Sequence, residues 1–194
     1  MSKAQAKRTV LIVPGLMGSG EAHWQSHWES SGLGQLADRV AGVARVEQRS
    51  WSRPELEPWL DALETAINAC PARPVLVCHS LGCVLAAHYA ASRPHAVQPA
   101  AALLVAPADV ERPTAPLEVV CFSPISTARL PYPAIVVASS DDPYCSAVRA
   151  TYFASQWGAR YENVGPLGHI NAESRLGGWP GGTGLLLELL NGVE

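Results

Sequence analysis

Six short apolar, β-branched runs punctuate the chain, at residues 9–13, 43–48, 75–78, 101–106, 134–139 and 160–164. Between them lie segments of helical character at 23–33, 55–68, 81–92, 147–157 and 184–191. Strands alternating with helices predict a mostly parallel six-stranded sheet with helices on both faces, an α/β fold. Runs such as Val10-Leu11-Ile12-Val13 and Ala134-Ile135-Val136-Val137 carry no polar alternation, as expected of strands buried on both sides. Residues 107–133 break the rhythm. That stretch holds Pro107, Pro113, Pro116, Pro124, Pro131 and Pro133 and shows no helical period, so it predicts a loop or minimal lid across the top of the sheet. No repeat, low-complexity tract or compositional break divides the chain, and one domain spanning 1–194 is expected, with 1–8 as a flexible tail.

In an open α/β sheet, ligands bind beyond the carboxyl ends of the strands, so the residues just after each run carry the chemical interest. After the third run comes Cys78-His79-Ser80-Leu81-Gly82, leading into the helix at 81. A serine at a sharp strand-to-helix turn resembles the nucleophile elbow, usually G-x-S-x-G, of α/β-hydrolases. The turn lifts the hydroxyl above the sheet and sets the Leu81 N–H at a helix N-terminus, where partial positive charge favours an anion. Here Cys78, also small, stands at the first glycine position. After the first run comes Pro14-Gly15-Leu16-Met17-Gly18-Ser19-Gly20, the place for a second backbone oxyanion donor, assigned to Leu16 with Met17 as the alternative. That loop matches neither G-x-G-x-x-G nor a P-loop. After the fifth run stand Asp141 and Asp142. Asp142 is the preferred partner for an imidazole and Asp141 the alternative. After the sixth comes His169, between Gly168 and Ile170. The chain order Ser80, Asp142, His169 is the order found in α/β-hydrolases, with each residue at a strand end on one edge of the sheet. His79, beside the serine, is given a structural role with its side chain turned away from Ser80. His88 and His95 are expected to be solvated.

Composition narrows the partners. The net charge of −3 and scattered charges give no basis for nucleic-acid or anionic-membrane binding. The basic residues before Val10 precede only four apolar residues and then Pro14, too short for a secretory leader, and no stretch reaches membrane-spanning length. The odd count of five cysteines, with no C-x-x-C pair, predicts free thiols in a reducing cytoplasm. His23 and His27 are four apart, but the Glu of H-E-x-x-H is absent, so no metal is expected, nor any cofactor.

Taken together, these motifs resemble the small serine hydrolases grouped with retinoblastoma-binding protein 9 and the bacterial YdeN proteins. The resemblance is carried by Val13-Pro14-Gly15, His23-Trp24-Gln25-Ser26, Trp51 with Pro54 and Trp59, and His79-Ser80-Leu81-Gly82. It continues through Ala106-Pro107-Ala108-Asp109, Ser140-Asp141-Asp142-Pro143-Tyr144, Gly168-His169-Ile170-Asn171-Ala172 and Gly177-Gly178-Trp179-Pro180. It implies a compact α/β-hydrolase with a minimal lid and a Ser80-Asp142-His169 triad. Cys78, and Arg175 where a small residue is more usual, depart from the family pattern. The family name suggests a pocket-protein partner, yet Leu76-Val77-Cys78-His79-Ser80 and Leu81-Gly82-Cys83-Val84-Leu85 both lack the final Glu of L-x-C-x-E. No such interaction is expected. The leading expectation is an esterase or thioesterase acting on a small-molecule acyl substrate, with Trp24, Trp51, Phe122, Tyr144 and Trp179 as candidate pocket walls. Amidase or acyltransferase chemistry, and a binding module with an idle triad, are the alternatives.

Overall fold

The computed structural model describes residues 6–193. Six strands, β1 (Arg8–Val13), β2 (Val40–Arg45), β3 (Val75–His79), β4 (Ala101–Val105), β5 (Ala134–Ala138) and β6 (Arg160–Asn163), form one sheet in the order β2-β1-β3-β4-β5-β6. Every neighbouring pair is parallel. Five helices connect or follow them: α1 (Trp24–Ser31), α2 (Leu56–Asn68), α3 (Leu81–Ser92), α4 (Ala147–Trp157) and α5 (Pro180–Gly192). This is the α/β-hydrolase fold.

The apolar strands feed two cores by simple alternation. In β3, Leu76 and Cys78 face the layer of α2, α3 and α4, while Val75 and Val77 face α1 and α5. Two covered faces are why these strands read as continuous apolar runs. Helix α3 is buried on nearly every side, from Leu81 through Ala87, which explains its lack of an amphipathic stripe. The outer strand β6 is half-exposed and charged. Its Arg160 pairs with Glu162 and Glu188, which blunts an open sheet edge.

Three element boundaries differ from expectation. Strand β2 lies at Val40–Arg45 rather than 43–48, because Arg8 pairs with Val40 and Thr9 with Gly42 across a bulge. Val46 adds one further hydrogen bond, to the Ile12 carbonyl. Helix α5 begins at Pro180 rather than 184. Gly181, Gly182 and Gly184 hide its first turn from a periodicity argument, and Gly182 lies where any Cβ would strike the Trp179 ring. The tail expected at 1–8 lies partly outside the described residues, and Arg8 already belongs to β1. Residues 107–133 cross the top of the sheet and include a 3₁₀ turn at Leu117–Phe122. Val110, Val119 and Phe122 anchor that segment in the core. Among the described residues, no helix is long and apolar enough to cross a membrane.

Candidate active site

Ser80 joins β3 to α3 with φ 55 and ψ −121, a strained conformation for a residue with a Cβ. Three backbone hydrogen bonds fix it. Its N–H donates to the Val105 carbonyl, and its carbonyl accepts from the Cys83 and Ala108 N–H groups; another bond, from the Ala106 N–H to the Val137 carbonyl, pins the neighbouring strand end. The turn is possible because two glycines give it room. A Cβ on Gly15 would sit 2.8 Å from the Ser80 Cβ, and one on Gly82 only 2.3 Å from the Val13 carbonyl oxygen. Cys78, at the usual glycine position, fits because its small side chain is wholly buried in the α2–α4 core, where burial pushes its thiol pKa up.

The Ser80 Oγ lies 2.9 Å from His169 Nε2, and His169 Nδ1 lies 2.9 and 3.0 Å from the two Asp142 oxygens. The Asp142 side chain is 2 % exposed and that of His169 8 %. Asp142 Oδ1 also accepts the Tyr144 N–H at 2.8 Å, which aims its carboxylate. Asp141 is engaged elsewhere. It accepts from Ser139 Oγ at 2.6 Å and from the Gly168 N–H at 2.8 Å, and these bonds, the serine's first, hold its carboxyl below the usual range. Asp141 therefore ties the loop after β5 to the loop carrying His169, while Asp142 meets the imidazole.

The oxyanion candidates separate in the same way. The Met17 N–H donates to the Trp51 carbonyl at 2.8 Å. The Leu16 and Leu81 N–H groups have no acceptor among the described residues, and both residues line the cavity over Ser80. That cavity measures about 390 Å³. Its lining includes Gly18, Val110, Ala115, Val119, Tyr144 and Asn171 besides Leu16, Ser80, Leu81 and His169.

Of the five aromatic side chains expected to wall the pocket, Tyr144 does so. Trp24 and Trp179 are instead packed together at 4.9 Å beneath the histidine loop, and Trp24 Nε1 donates to the Ile170 carbonyl at 2.7 Å. Phe122 is fully buried against Trp59, and its carbonyl meets His88 Nε2 at 2.8 Å, so His88 is not simply solvated. Trp51 covers Gly18 from behind and packs edge-on against Trp59. The other four aromatic side chains thus support the loops rather than face the cavity.

Several supporting residues carried no motif of their own. Gln25, wholly buried, donates from Nε2 to the Val77 carbonyl at 3.0 Å and accepts from Ser19 Oγ at 2.6 Å, fastening the glycine loop to β3. Arg45 grips Glu29 and reaches the Ser19 carbonyl and Ser26 Oγ. His79 lines the cavity beside Ser80, and its Nε2 hydrogen-bonds the His169 carbonyl at 2.9 Å, bracing the histidine loop. His23 caps α1 by accepting the Gln25 N–H at Nδ1, which leaves the proton of a neutral ring on Nε2. Burial first, then the Arg45 and His169 charges, pull the His23 pKa down to about 4. Burial also drives His79 well below its ordinary value. Arg175, the other departure from the family pattern, is exposed and has φ 51, the conformation in which a glycine would be easier.

Residues 10–188 match the serine hydrolase family. The chain belongs to it. A YdeN-like hydrolase from Pectobacterium atrosepticum is 33% identical, with a TM-score of 0.79 over 95% of this chain and 91% of that one. The ydeN gene product of B. subtilis is 22% identical, with a TM-score of 0.75 over 95% of this chain and all of that one. The type II thioesterase BorB from the borrelidin biosynthetic cluster shares the fold at 18% identity, with a TM-score of 0.65 over 96% and 92% of the two chains. No curated protein matches. This serine hydrolase is YdeN-like, within the α/β-hydrolase superfamily.

Proposed function

We propose that this serine hydrolase cleaves small acyl esters or thioesters through an acyl-enzyme on Ser80. The observation that supports this most is the continuous hydrogen-bonded chain from Ser80 through His169 to Asp142. A serine hydroxyl is a weak nucleophile until a base accepts its proton during attack, and His169 Nε2 stands at the distance that transfer needs. Asp142 holds the proton on Nδ1 of His169 and stabilises the imidazolium that forms. The carbonyl oxygen, becoming an oxyanion, takes the two free N–H groups of Leu16 and Leu81. One such donor is worth about 3 kcal/mol of barrier. His169 then gives its proton to the departing alcohol or thiol. The same imidazole activates water against the acyl-enzyme and returns Ser80 to its starting state.

A cavity of about 390 Å³ is at the small end for ligand sites, which favours short acyl groups over long lipids. We place the enzyme in the cytoplasm, because all five cysteines are unpaired and three of them are buried. Turnover of p-nitrophenyl acetate, butyrate and octanoate by wild type and Ser80→Ala tests the assignment. The variant is expected to lose at least ~10³-fold in kcat, with acetate and butyrate preferred over octanoate. Equal rates in the two proteins would overturn it.

A further inference from the structure

Two charged side chains line the cavity over Ser80, Asp109 and Arg112. Asp109 is already satisfied. Its Oδ2 lies 3.2 Å from Arg149 Nε, and its Oδ1 accepts the Glu111 N–H at 3.2 Å. Glu111, the next acid along the loop, is also taken, since it pairs with Arg149 and accepts the Ile125 N–H at 2.8 Å. Arg149 thus holds both carboxylates of this segment. Arg112 has no carboxylate partner among the described residues. Its Nη1 donates to Thr114 Oγ1 at 2.5 Å, and the guanidinium carbon sits 5.1 Å from the Tyr144 ring centroid.

The placement of that cation gives it a meaning. Tyr144 meets the His169 ring edge-on at 4.5 Å, so its phenol ring touches both the Arg112 guanidinium and the imidazole beside Ser80. The aromatic face attracts the guanidinium, and with one N–H given to Thr114 most of its five donors remain available. An arginine without a counter-ion on the wall of a small, partly desolvated cavity attracts an anion there, and its planar fork suits a carboxylate.

We propose that Arg112 forms an anion subsite, so that the preferred substrate is an ester or thioester whose acyl group ends in a carboxylate. The two ring contacts place the guanidinium within about 10 Å of the His169 imidazole, which a chain of roughly five bonds between reacting carbonyl and carboxylate would span. This rests on the esterase reading of the same cavity. It adds charge recognition, which neither the fold nor the Ser80–His169–Asp142 chain requires.

The test compares two esters that differ in one charge, mono-p-nitrophenyl adipate and its neutral methyl ester. For wild type, Arg112→Lys and Arg112→Met at fixed ionic strength, the readout is the ratio of kcat/KM for the anionic over the neutral ester. Fluorophosphonate labelling of Ser80 reports an assembled site in each protein. Wild type is expected to favour the anionic ester about tenfold or more. Arg112→Met should lower that ratio at least tenfold, Arg112→Lys should fall between, and added salt should lower the wild-type ratio. Labelling and turnover of both esters with the same ratio in wild type and Arg112→Met would overturn the anion subsite alone. Absence of both labelling and turnover in wild type would overturn the esterase reading and the subsite with it.

Discussion

Gly82→Ala isolates the contact on which the elbow depends. A Cβ at this position would lie 2.3 Å from the Val13 carbonyl oxygen and 2.9 Å from that of Pro14. Both obstacles are backbone at the end of β1, so no flexible side chain can swing away. Restoring ordinary contact, near 3.5 Å, requires the start of α3 and the end of β1 to part by about 1 Å. Overpacking of this kind costs about 1–3 kcal/mol of stability. The shift also moves the Leu81 N–H and the Leu16 loop apart, since Gly15 packs so closely on the elbow that a Cβ there would lie 2.8 Å from the Ser80 Cβ and 3.0 Å from the Leu81 nitrogen. A misplacement of about 1 Å among reacting groups costs on the order of 100-fold in rate. Gly184→Ala is the matched control. It makes the same substitution at an exposed position of α5, with nothing within 4 Å of the new methyl, and should stabilise the protein by about 0.4–1 kcal/mol. Urea denaturation and kcat/KM on p-nitrophenyl butyrate measure both effects. A Gly82→Ala protein as stable and as active as Gly184→Ala would refute the packing argument.

The carboxylates and buried histidines yield further expectations. Asp142→Asn should lower kcat by about 10⁴-fold, because the amide favours the wrong imidazole tautomer. Asp141→Asn should cost far less in kcat, because Asp141 touches Ser139 and Gly168 rather than the imidazole; steady-state kinetics on the two variants separates these roles. His23 has a folded pKa of about 4 against an ordinary 6.5, so the unfolded chain binds the extra proton between those values. Stability should therefore be full above pH 6.5 and fall as pH drops, by about 2 kcal/mol at pH 5 from His23 alone. His79 loses stability in the same direction. Urea midpoints at pH 7 and pH 5 check this, and His23→Gln should reduce the pH-linked difference.

Much of the fold was legible because both faces of the sheet are covered. Continuous apolar runs marked β1, β3, β4 and β5, and the strand-end rule led directly to Ser80, Asp142 and His169. Where the sequence signal was ambiguous, hydrogen bonds made the distinction. Asp141 and Asp142 are neighbouring residues of one type, and only the tertiary pairing of Asp141 with Ser139 and Gly168 leaves Asp142 for the imidazole. Leu16 and Met17 differ in the same way through the Trp51 carbonyl. The aromatic side chains misled because bulk near a site reads equally as wall or as support. Trp24 and Phe122 proved to hold loops from below. Gln25 and Arg45 had no pattern to announce them, since their work is to satisfy carbonyls that meet only in the folded chain.

The most direct test of the central claim is covalent. Wild type and Ser80→Ala are treated with a fluorophosphonate at neutral pH and followed by intact mass and peptide mapping. One adduct per wild-type chain is expected, located on Ser80, with none on the variant and much slower labelling in Asp142→Asn. A wild-type protein that takes no label, or takes it at a residue other than Ser80, would rule out Ser80 as the nucleophile.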